Sequence, residues 1–225
     1  MTTAHDHFAD RQDAGTRLAQ AITPLGLVDP VVLALPRGGV PVGYEVAKAL
    51  GAPLDILLVR KIGAPGHEEY GIGALVDGAA PQLVIDEDMA RMVGADDAYI
   101  GRQARRELAE IERRRTAYRT GKPIALAGRI VILVDDGIAT GGTVRAALMA
   151  LAKADPARIV LAVPVAPREV LSDLRPLCDT IVCLSSPEPF HAVGLHYGDF
   201  TQTEDAEVIR LLTQARGWSK AGAPT

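Results

Sequence analysis

The chain reads Ile130-Val-Ile-Leu-Val-Asp135-Asp136-Gly137-Ile-Ala-Thr140-Gly141-Gly142-Thr143-Val144 just past its middle. Five apolar residues, enough for a short strand, end at two adjacent carboxylates, and a glycine-rich turn then leads into a helical pattern. Strand, turn and helix in this order form the repeating unit of a parallel α/β sheet. Ligands of such sheets bind at the carboxyl ends of the strands, so we expect Asp135, Asp136 and the turn to face a ligand.

Two common phosphate-binding motifs do not fit this turn. A P-loop needs a lysine after its second glycine, but Thr143 follows Gly142 directly. A dinucleotide-binding fingerprint has its acid about 20 residues after the glycines, whereas the acids here come before them. Backbone N–H groups of the turn and helix could hold a phosphate, and the carboxylates could hold sugar hydroxyls or a metal ion. Two acids that merely cap a turn are the alternative.

The composition favours a buried sheet covered by helices. Of the 225 residues, 48% are hydrophobic and only 4% aromatic, so the core must consist mainly of Ala, Val, Leu and Ile. The net charge of -4 argues against a general nucleic-acid binder. The only cysteines, Cys178 and Cys183, cannot form a disulfide framework. No apolar run has membrane-spanning length and the N-terminus lacks a signal-peptide core, so we expect a cytoplasmic protein without a membrane partner.

Strand-length apolar runs alternate with helical patterns along most of the chain. The runs cover residues 31–35, 54–59, 130–134, 159–163 and 180–184. We therefore predict an α/β fold: a single, doubly wound parallel sheet of about five strands with right-handed crossovers. Residues 62–123 interrupt the alternation with a Gly/Pro-rich loop, a hairpin near 70–85 and a long helix near 95–119. We predict that this long insertion, the hood, lies between the second and third strands above the ligand-binding edge.

The predicted organisation is one domain over residues 1–225, with the hood at 62–123. A helix near 208–215 closes the domain, and residues 219–225 are expected to form a disordered tail. The sequence leaves the oligomeric state open, although a homodimer is the commonest assembly of soluble oligomers.

The stretch from Ile130 to Thr143 resembles the signature of type I phosphoribosyltransferases that binds 5-phosphoribosyl 1-pyrophosphate (PRPP). The resemblance implies an enzyme that uses PRPP and Mg²⁺ to transfer ribose 5-phosphate to a nitrogen nucleophile, such as a nucleobase, with release of pyrophosphate. It implies that Asp135 and Asp136 hold the ribose hydroxyls and help to place Mg²⁺. It assigns the 5′-phosphate to the turn formed by Ala139, Thr140, Gly141, Gly142 and Thr143.

Two further stretches extend this predicted site. Pro36-Arg37-Gly38-Gly39 follows the first strand, and its glycines and arginine suit an anion. The resemblance makes it the pyrophosphate loop, although an ordinary turn is the alternative. Arg60-Lys61 closes the predicted second strand, where two cations suit a leaving group with several negative charges. By resemblance Lys61 or Arg60 contacts pyrophosphate, and the spacing does not choose between them.

The hood carries the candidates for acid–base chemistry. Related transferases often have an acid one residue before the Thr-Gly pair, and this chain has Ala139 there. A proton acceptor must then come from elsewhere, and Glu68 or Glu69 lies in a glycine-rich segment suited to a closing lid. We include Glu69 with Lys61 and the two aspartates among the candidate catalytic residues. A solvated polar loop is the alternative.

Three segments outside the main motif carry a further resemblance. They are similar to segments of a bacterial group of phosphoribosyltransferases of unassigned substrate, and they lie around Phe8-Ala-Asp-Arg11, Arg60-Lys61 and Phe190-His191. In the family an aromatic residue from a late loop often stacks on the nucleobase, and the segment from Phe190 to Phe200 is the corresponding part of this chain. Packing of this segment against the rest of the protein is the alternative. A PRPP- or nucleotide-sensing regulatory protein stays open as a rival, as does a hydrolase or mutase of a phosphorylated sugar. The sequence does not identify the acceptor.

Overall fold

The computed structural model describes residues 7–77, 81–118 and 124–221. Its strands are β1 (Val31–Ala34), β2 (Leu54–Ile56), β3 (Val59–Ala64), β4 (His67–Val76), β5 (Gln82–Ile85), β6 (Ile130–Val134), β7 (Arg158–Val165) and β8 (Thr180–Ser185). Its α-helices are α1 (Arg11–Ile22), α2 (Gly39–Leu50), α3 (Glu87–Met92), α4 (Asp97–Tyr118), α5 (Gly142–Ala152), α6 (Arg168–Leu174) and α7 (Asp205–Ala221). Within these ranges, every helix is too short or too polar to cross a bilayer.

The main sheet has five parallel strands in the order β2-β1-β6-β7-β8, which confirms the predicted core. Its register pairs Leu33 of β1 with Leu133 of β6, and Leu133 with Leu161 of β7. Because β1 and β6 are neighbours and run parallel, the turns that follow them leave the sheet side by side. The first and third strands of the core therefore bring their carboxyl ends to one place.

Alternate residues of these strands enter two separate hydrophobic clusters, as the period of two in a strand requires. One face carries Val32, Ala34, Ile132, Val134, Val160 and Ala162, and packs on α1, α2 and α7. The other carries Val31, Leu33, Val131, Leu133, Leu161 and Val163, and packs on α5 and α6. Helices on both faces explain why the strands are apolar throughout, and they make the sheet doubly wound.

The hood lies between β2 and β6 along the chain, but it begins earlier than predicted. The second strand ends at Ile56 rather than at Val59, and Val59 pairs instead with Val76 in a separate antiparallel sheet of order β3-β4-β5. Arg60 and Lys61 therefore lie inside β3 and do not close a strand of the main sheet. The reason is that Leu57 makes the last hydrogen bond to β1, at the Ala34 carbonyl, after which the chain leaves that sheet.

The hood also has a third strand that the predicted hairpin lacks. It has its own small core, which includes Ile62, Ile72 and Ile100, with α3 and α4 packed against the sheet. All three hood strands contact α5, the helix that follows the glycine-rich turn. The hood therefore sits on the element that begins at the predicted site. Residues 78–80 and 119–123, which belong to the predicted insertion, lie outside the described ranges.

The final helix is longer than predicted. α7 continues to Ala221, so residues 219–221 are helical rather than part of a disordered tail, and 222–225 lie outside the described residues. The physical reason is the packing of Trp218 on Tyr44 of α2, with ring centroids 4.9 Å apart. This contact holds the last turns of α7 against the body.

Leu133 tests the core. It is fully buried at the centre of the sheet, so Leu133→Ala leaves a cavity and should lower the free energy of unfolding by about 2–5 kcal/mol. Leu195→Ala is the matched control, because Leu195 is 65% exposed and its loss should change the stability by less than about 0.5 kcal/mol. Urea denaturation followed by circular dichroism measures both. Equal effects would contradict the described packing.

Candidate functional site

The site forms where the chain leaves β1 and β6. The N–H of Leu35 donates to the Val134 carbonyl at 2.9 Å, which continues the pairing of the strands by one residue. The chain then turns through the 36–39 loop, whose Pro36–Arg37 peptide is cis, and the N–H of Gly39 returns to the Leu35 carbonyl at 3.0 Å. The tight turn keeps the loop directly above the end of β6.

Gly38 and Gly39 touch Asp135 and Asp136, which we call the acid pair. A Cβ on Gly38 would overlap Oδ2 of Asp136, and a Cβ on Gly39 would lie 3.2 Å from Oδ1 of Asp135 and 2.9 Å from the Val134 carbonyl. Glycine is required at Gly38 for space rather than for backbone angle, because its φ of -61° suits any residue. The structure thus brings together two motifs that are about a hundred residues apart in sequence.

Each aspartate of the acid pair has one oxygen held by the protein. Oδ1 of Asp135 accepts the N–H of Asp136 at 2.9 Å, and Oδ2 of Asp136 accepts Nε–H of Arg11 at 2.8 Å. Among the described residues, no hydrogen bond from another residue reaches Oδ2 of Asp135 or Oδ1 of Asp136. Two carboxylate oxygens on adjacent residues therefore remain for a ligand.

Partial burial makes the negative charge of the acid pair costly. Desolvation raises the pKa of Asp135 well above its usual range, the neighbouring charge of Asp136 raises it further, and the backbone N–H of Asp136 and the charge of Arg11 oppose both effects. Desolvation also raises the pKa of Asp136, and the charge and hydrogen bond of Arg11, together with the backbone N–H of Asp136, oppose it. Partly buried carboxylates gain most from partners that are cations or hydrogen-bond donors. A ligand with hydroxyl groups or a metal ion would supply such partners.

Arg11 contacts the acid pair, although its position in the sequence predicts no such role. It is the first residue of α1, and 125 positions separate it from Asp136, so no local spacing connects the two. Its second nitrogen, Nη1, donates to the Thr201 carbonyl at 2.7 Å, and its Cζ lies 3.9 Å from the ring centre of Phe200. The contact with the acid pair is thus part of a fixed arrangement.

The loop that follows β8, residues 190–200, contacts the backbone of the acid pair. Tyr197 donates its hydroxyl to the backbone carbonyl of Asp136, and burial raises the pKa of Tyr197, which keeps that hydroxyl protonated. Phe8 packs on Tyr197 with ring centroids 5.3 Å apart. Packing of the loop against the body therefore accounts for Tyr197 and Phe200, as the alternative interpretation proposed. Phe190 differs, because it lines a cavity described below.

The 139–143 turn presents backbone to solvent. The N–H of Ile138 donates to the Val165 carbonyl at 2.9 Å and fixes the start of the turn on β7. Gly141 has φ of +79°, and α5 begins at Gly142 with no side-chain cap on its first N–H groups. Ala139, Thr140 and Gly142 are exposed. Uncapped N–H groups at a helix start are the groups that hold anions in other proteins.

The three predicted cationic residues are placed differently from one another. Nη1 of Arg37 lies 3.6 Å from Oδ1 of Asp205 at the start of α7, and Nε of Arg60 lies 2.7 Å from Oε2 of Glu107 in α4. Lys61 is exposed, and it shares the lining of one cavity of about 360 Å³ with Thr143 and of another of about 600 Å³ with Thr140. The described lining of neither cavity includes the 36–39 loop. The side chains of Glu68 and Glu69 lie outside the described residues.

A third cavity, of about 450 Å³, adjoins the 139–143 turn where β7 and β8 end. Its lining comprises Ala139, Thr140, Pro167, Arg168, Glu169, Val170, Pro187, Glu188, Phe190 and His191. Phe190 stacks on His196 with ring centroids 5.5 Å apart and an interplanar angle of 24°. The cavity combines an aromatic ring with three groups that could accept a proton: Glu169, Glu188 and His191. The sequence alone does not indicate these groups as bases, because three separate turns contribute to the cavity.

Metal binding by protein groups alone has no support in the described part of the chain. No cluster of three or more His, Cys, Asp or Glu side chains that could hold a metal ion occurs there. The acid pair supplies two carboxylates, one of which already has an arginine partner. A divalent ion at this position would need oxygen atoms from a bound small molecule or from water to complete its coordination shell.

Known proteins resemble this chain over nearly its whole length. A family model described as "Phosphoribosyl transferase domain" matches residues 9–196. Two curated proteins of Mycobacterium tuberculosis strains, each named "Putative phosphoribosyl transferase", are 44% identical over 218 residues, which are 96% of this chain and 49% of theirs. The chain thus spans about half the length of these relatives. The crystal structure of TT1426 from Thermus thermophilus has 44% identity and a TM-score of 0.80, covering 92% of this chain and 98% of that one.

The contact between Gly38 and Asp136 can be tested by stability. Gly38→Ala should lower the free energy of unfolding by about 1–3 kcal/mol, because the new methyl group overlaps the Asp136 carboxylate. Combining it with Asp136→Ala should recover most of that loss relative to Asp136→Ala alone. Gly142→Ala is the control, since a Cβ there has no described neighbour within 4 Å. Urea denaturation measures all four variants, and a double variant without recovery would contradict the contact.

Proposed function

Because the chain belongs to the type I phosphoribosyltransferase family, we propose that it transfers ribose 5-phosphate from PRPP to a nitrogen nucleophile and releases pyrophosphate. The observation that carries this proposal is the pair of carboxylate oxygens without a described partner, set beside a turn with uncapped N–H groups. Hydroxyls suit the first feature and a phosphate suits the second. Ribose 5-phosphate has both groups on one small molecule.

In the proposed reaction the bond from C1 of the ribose to the pyrophosphate oxygen breaks, and a bond from C1 to the nucleophilic nitrogen forms. The electron pair of the broken bond leaves with pyrophosphate, and the nitrogen loses its proton to a base. The anomeric carbon passes through an oxocarbenium-like state. Asp135 and Asp136 accept hydrogen bonds from the ribose hydroxyls, and the 139–143 turn holds the 5′-phosphate. Catalysis then consists mainly of positioning and charge stabilisation.

Mg²⁺ fits this site as an ion shared with the substrate. The free oxygens of Asp135 and Asp136 are two hard ligands, and Mg²⁺ typically uses one or two carboxylates together with phosphate oxygens and water. When bound, the ion would neutralise charge that develops on pyrophosphate. Arg11 already compensates part of the charge of Asp136, so the acid pair alone would attract the ion less strongly than two unpaired carboxylates.

Arg37 and Lys61 flank the proposed position of PRPP. The 3.6 Å contact of Arg37 with Asp205 is loose and half exposed, so a pyrophosphate can compete for this guanidinium. Arg60 has a close carboxylate partner in Glu107, which leaves Lys61 as the better placed of the two hood cations. Lys61 lines two cavities with residues of the 139–143 turn, so closure of the hood would bring its positive charge towards bound PRPP.

We place the acceptor in the 450 Å³ cavity beside Phe190. A flat nitrogen heterocycle could stack on this ring, as the resemblance of the late loop implied. Glu169, Glu188 and His191 then become candidate proton acceptors beside Glu69 of the hood. This arrangement supplies from neighbouring turns the base that Ala139 does not provide.

Asp136→Asn tests the ribose site. The change keeps the shape of the side chain but removes its charge, so the dissociation constant for PRPP with Mg²⁺ should rise about tenfold to a hundredfold. Asp173→Asn is the control, because Asp173 lies exposed on α6, and it should leave the affinity unchanged. Isothermal calorimetry measures both. Equal affinity of Asp136→Asn and the unaltered protein would reject the assignment of the acid pair.

Phe190→Ala tests the acceptor cavity. We expect KM for the acceptor to rise about tenfold while the affinity for PRPP stays unchanged, because loss of base stacking costs about 1–3 kcal/mol. Leu195→Ala, in the same loop and largely exposed, serves as the control. A rise in the dissociation constant for PRPP instead would place Phe190 in the PRPP site.

The acceptor itself is found by measuring pyrophosphate release with PRPP, Mg²⁺ and a panel of nucleobases and related amines. Release with one member establishes transfer and names the acceptor. Tight PRPP binding without release for any member would favour the rival function, a PRPP- or nucleotide-sensing regulator.

A further inference from the structure

Two segments that are distant in sequence meet behind Asp136. The N–H of Phe8 donates to the His196 carbonyl, the N–H of Gly198 to the Phe8 carbonyl and the N–H of Asp199 to the Ala9 carbonyl, each at 2.8 Å. Asp10 then caps α1 by accepting the N–H of Asp13 at 2.8 Å. These bonds fix the backbone on both sides of Arg11, the first residue of α1.

The guanidinium of Arg11 has three contacts that leave it little freedom. Nε donates to Oδ2 of Asp136, Nη1 donates to the Thr201 carbonyl, and the ring of Phe200 covers one face at 3.9 Å. The side chain of Arg11 is only 11% exposed. A planar group with several donors can hold two acceptors in fixed directions at once, which a lysine ammonium on its flexible stem does less well.

This contact determines the direction in which the Asp136 carboxylate points. With Oδ2 held by Arg11 and packed against Gly38, Oδ1 is the oxygen left to face a ligand. In the same way the N–H of Asp136 holds Oδ1 of Asp135 and leaves Oδ2. The two available oxygens belong to adjacent residues at one strand end, and two neighbouring hydroxyls of a pentose ring are the matching donors.

We propose that Arg11 is a positioning residue that gives the site its preference for ribose over 2-deoxyribose. The proposal rests on the proposed function, because it requires that the acid pair binds a pentose 5-phosphate. Arg11 itself does not touch the sugar. It keeps the Asp136 carboxylate in the orientation in which Asp136 accepts the 2-hydroxyl while Asp135 accepts the neighbouring hydroxyl.

The preference for ribose depends on the entropy that is lost when a mobile carboxylate is ordered by a ligand. Without Arg11, the Asp136 carboxylate can rotate, and ordering it again on binding consumes part of the energy of its hydrogen bond. A ligand with two hydroxyls then gains little over a ligand with one. With Arg11 in place the carboxylate is already oriented, so the second hydroxyl contributes a full charge-assisted hydrogen bond.

The test compares ribose 5-phosphate with 2-deoxyribose 5-phosphate by isothermal calorimetry on the full chain. The unaltered protein should bind ribose 5-phosphate about tenfold to a hundredfold more tightly. In Arg11→Gln the ratio of the two dissociation constants should fall to about threefold or less. Retention of the original ratio in Arg11→Gln would overturn the inference. Absence of binding of either sugar to the unaltered protein would instead reject the proposed function.

Two further variants separate positioning from charge and from folding. Arg11→Lys keeps the charge but cannot hold Asp136 and Thr201 together, so it should discriminate weakly; full discrimination by this variant would overturn a positioning role. Gln20→Ala is the control, since Gln20 lies exposed on the same helix, and it should behave like the unaltered protein. Loss of discrimination in Gln20→Ala would attribute the effect to α1 as a whole and overturn a specific role of Arg11.

Binding of inorganic phosphate provides the last readout. The described contacts of Arg11 do not include the 139–143 turn, so the affinity of Arg11→Gln for phosphate should equal that of the unaltered protein. An equal loss of phosphate and sugar affinity, together with a lowered melting temperature, would show a general structural role and overturn the inference.

Discussion

Parallel pairing of β1 with β6 is the interaction on which the site depends. The pairing of residues 31–34 with 131–134 is continued by the bond from Leu35 to Val134. It places two strand-to-helix turns in contact, so that Gly38 and Gly39 lie against Asp136 and Asp135. The turns have no room for larger side chains at this contact. A change of register by one residue would separate them and exchange the buried faces of the strands.

The acid pair is stabilised by groups that are remote in sequence. Burial disfavours both charges, and Arg11 supplies the compensating cation. The Tyr197 hydroxyl satisfies the backbone carbonyl of Asp136, and Phe200 covers the guanidinium. Each carboxylate is held by another residue at one oxygen only, so its second oxygen stays available to a ligand. The two aspartates are therefore fixed in orientation and can still accept hydrogen bonds.

Local patterns predicted the elements that depend on local properties. The strand at 130–134, its acids and the turn were visible because an apolar run, two charges and four small residues are adjacent. The boundary after Ile56 was not visible, because residues 54–59 are largely apolar whether the chain stays in one sheet or enters another. Arg11 was missed because its partner lies across the fold, and the cavity beside Phe190 because three turns contribute to it. The extent of α7 depends on Trp218 packing on Tyr44, which a polar tail does not indicate.

The contact of Arg11 with Thr201 has a consequence for synthesis. A chain is made from the N-terminus, and a domain folds as a unit. The acid pair follows Arg11 by more than a hundred residues, and 190 positions separate Arg11 from Thr201. A nascent chain that has passed β6 but has not reached Thr201 therefore carries both acids while the guanidinium still lacks its second anchor. The arrangement of the acids, with Arg11 held at Thr201, is therefore complete only after the segment around Thr201 has been made.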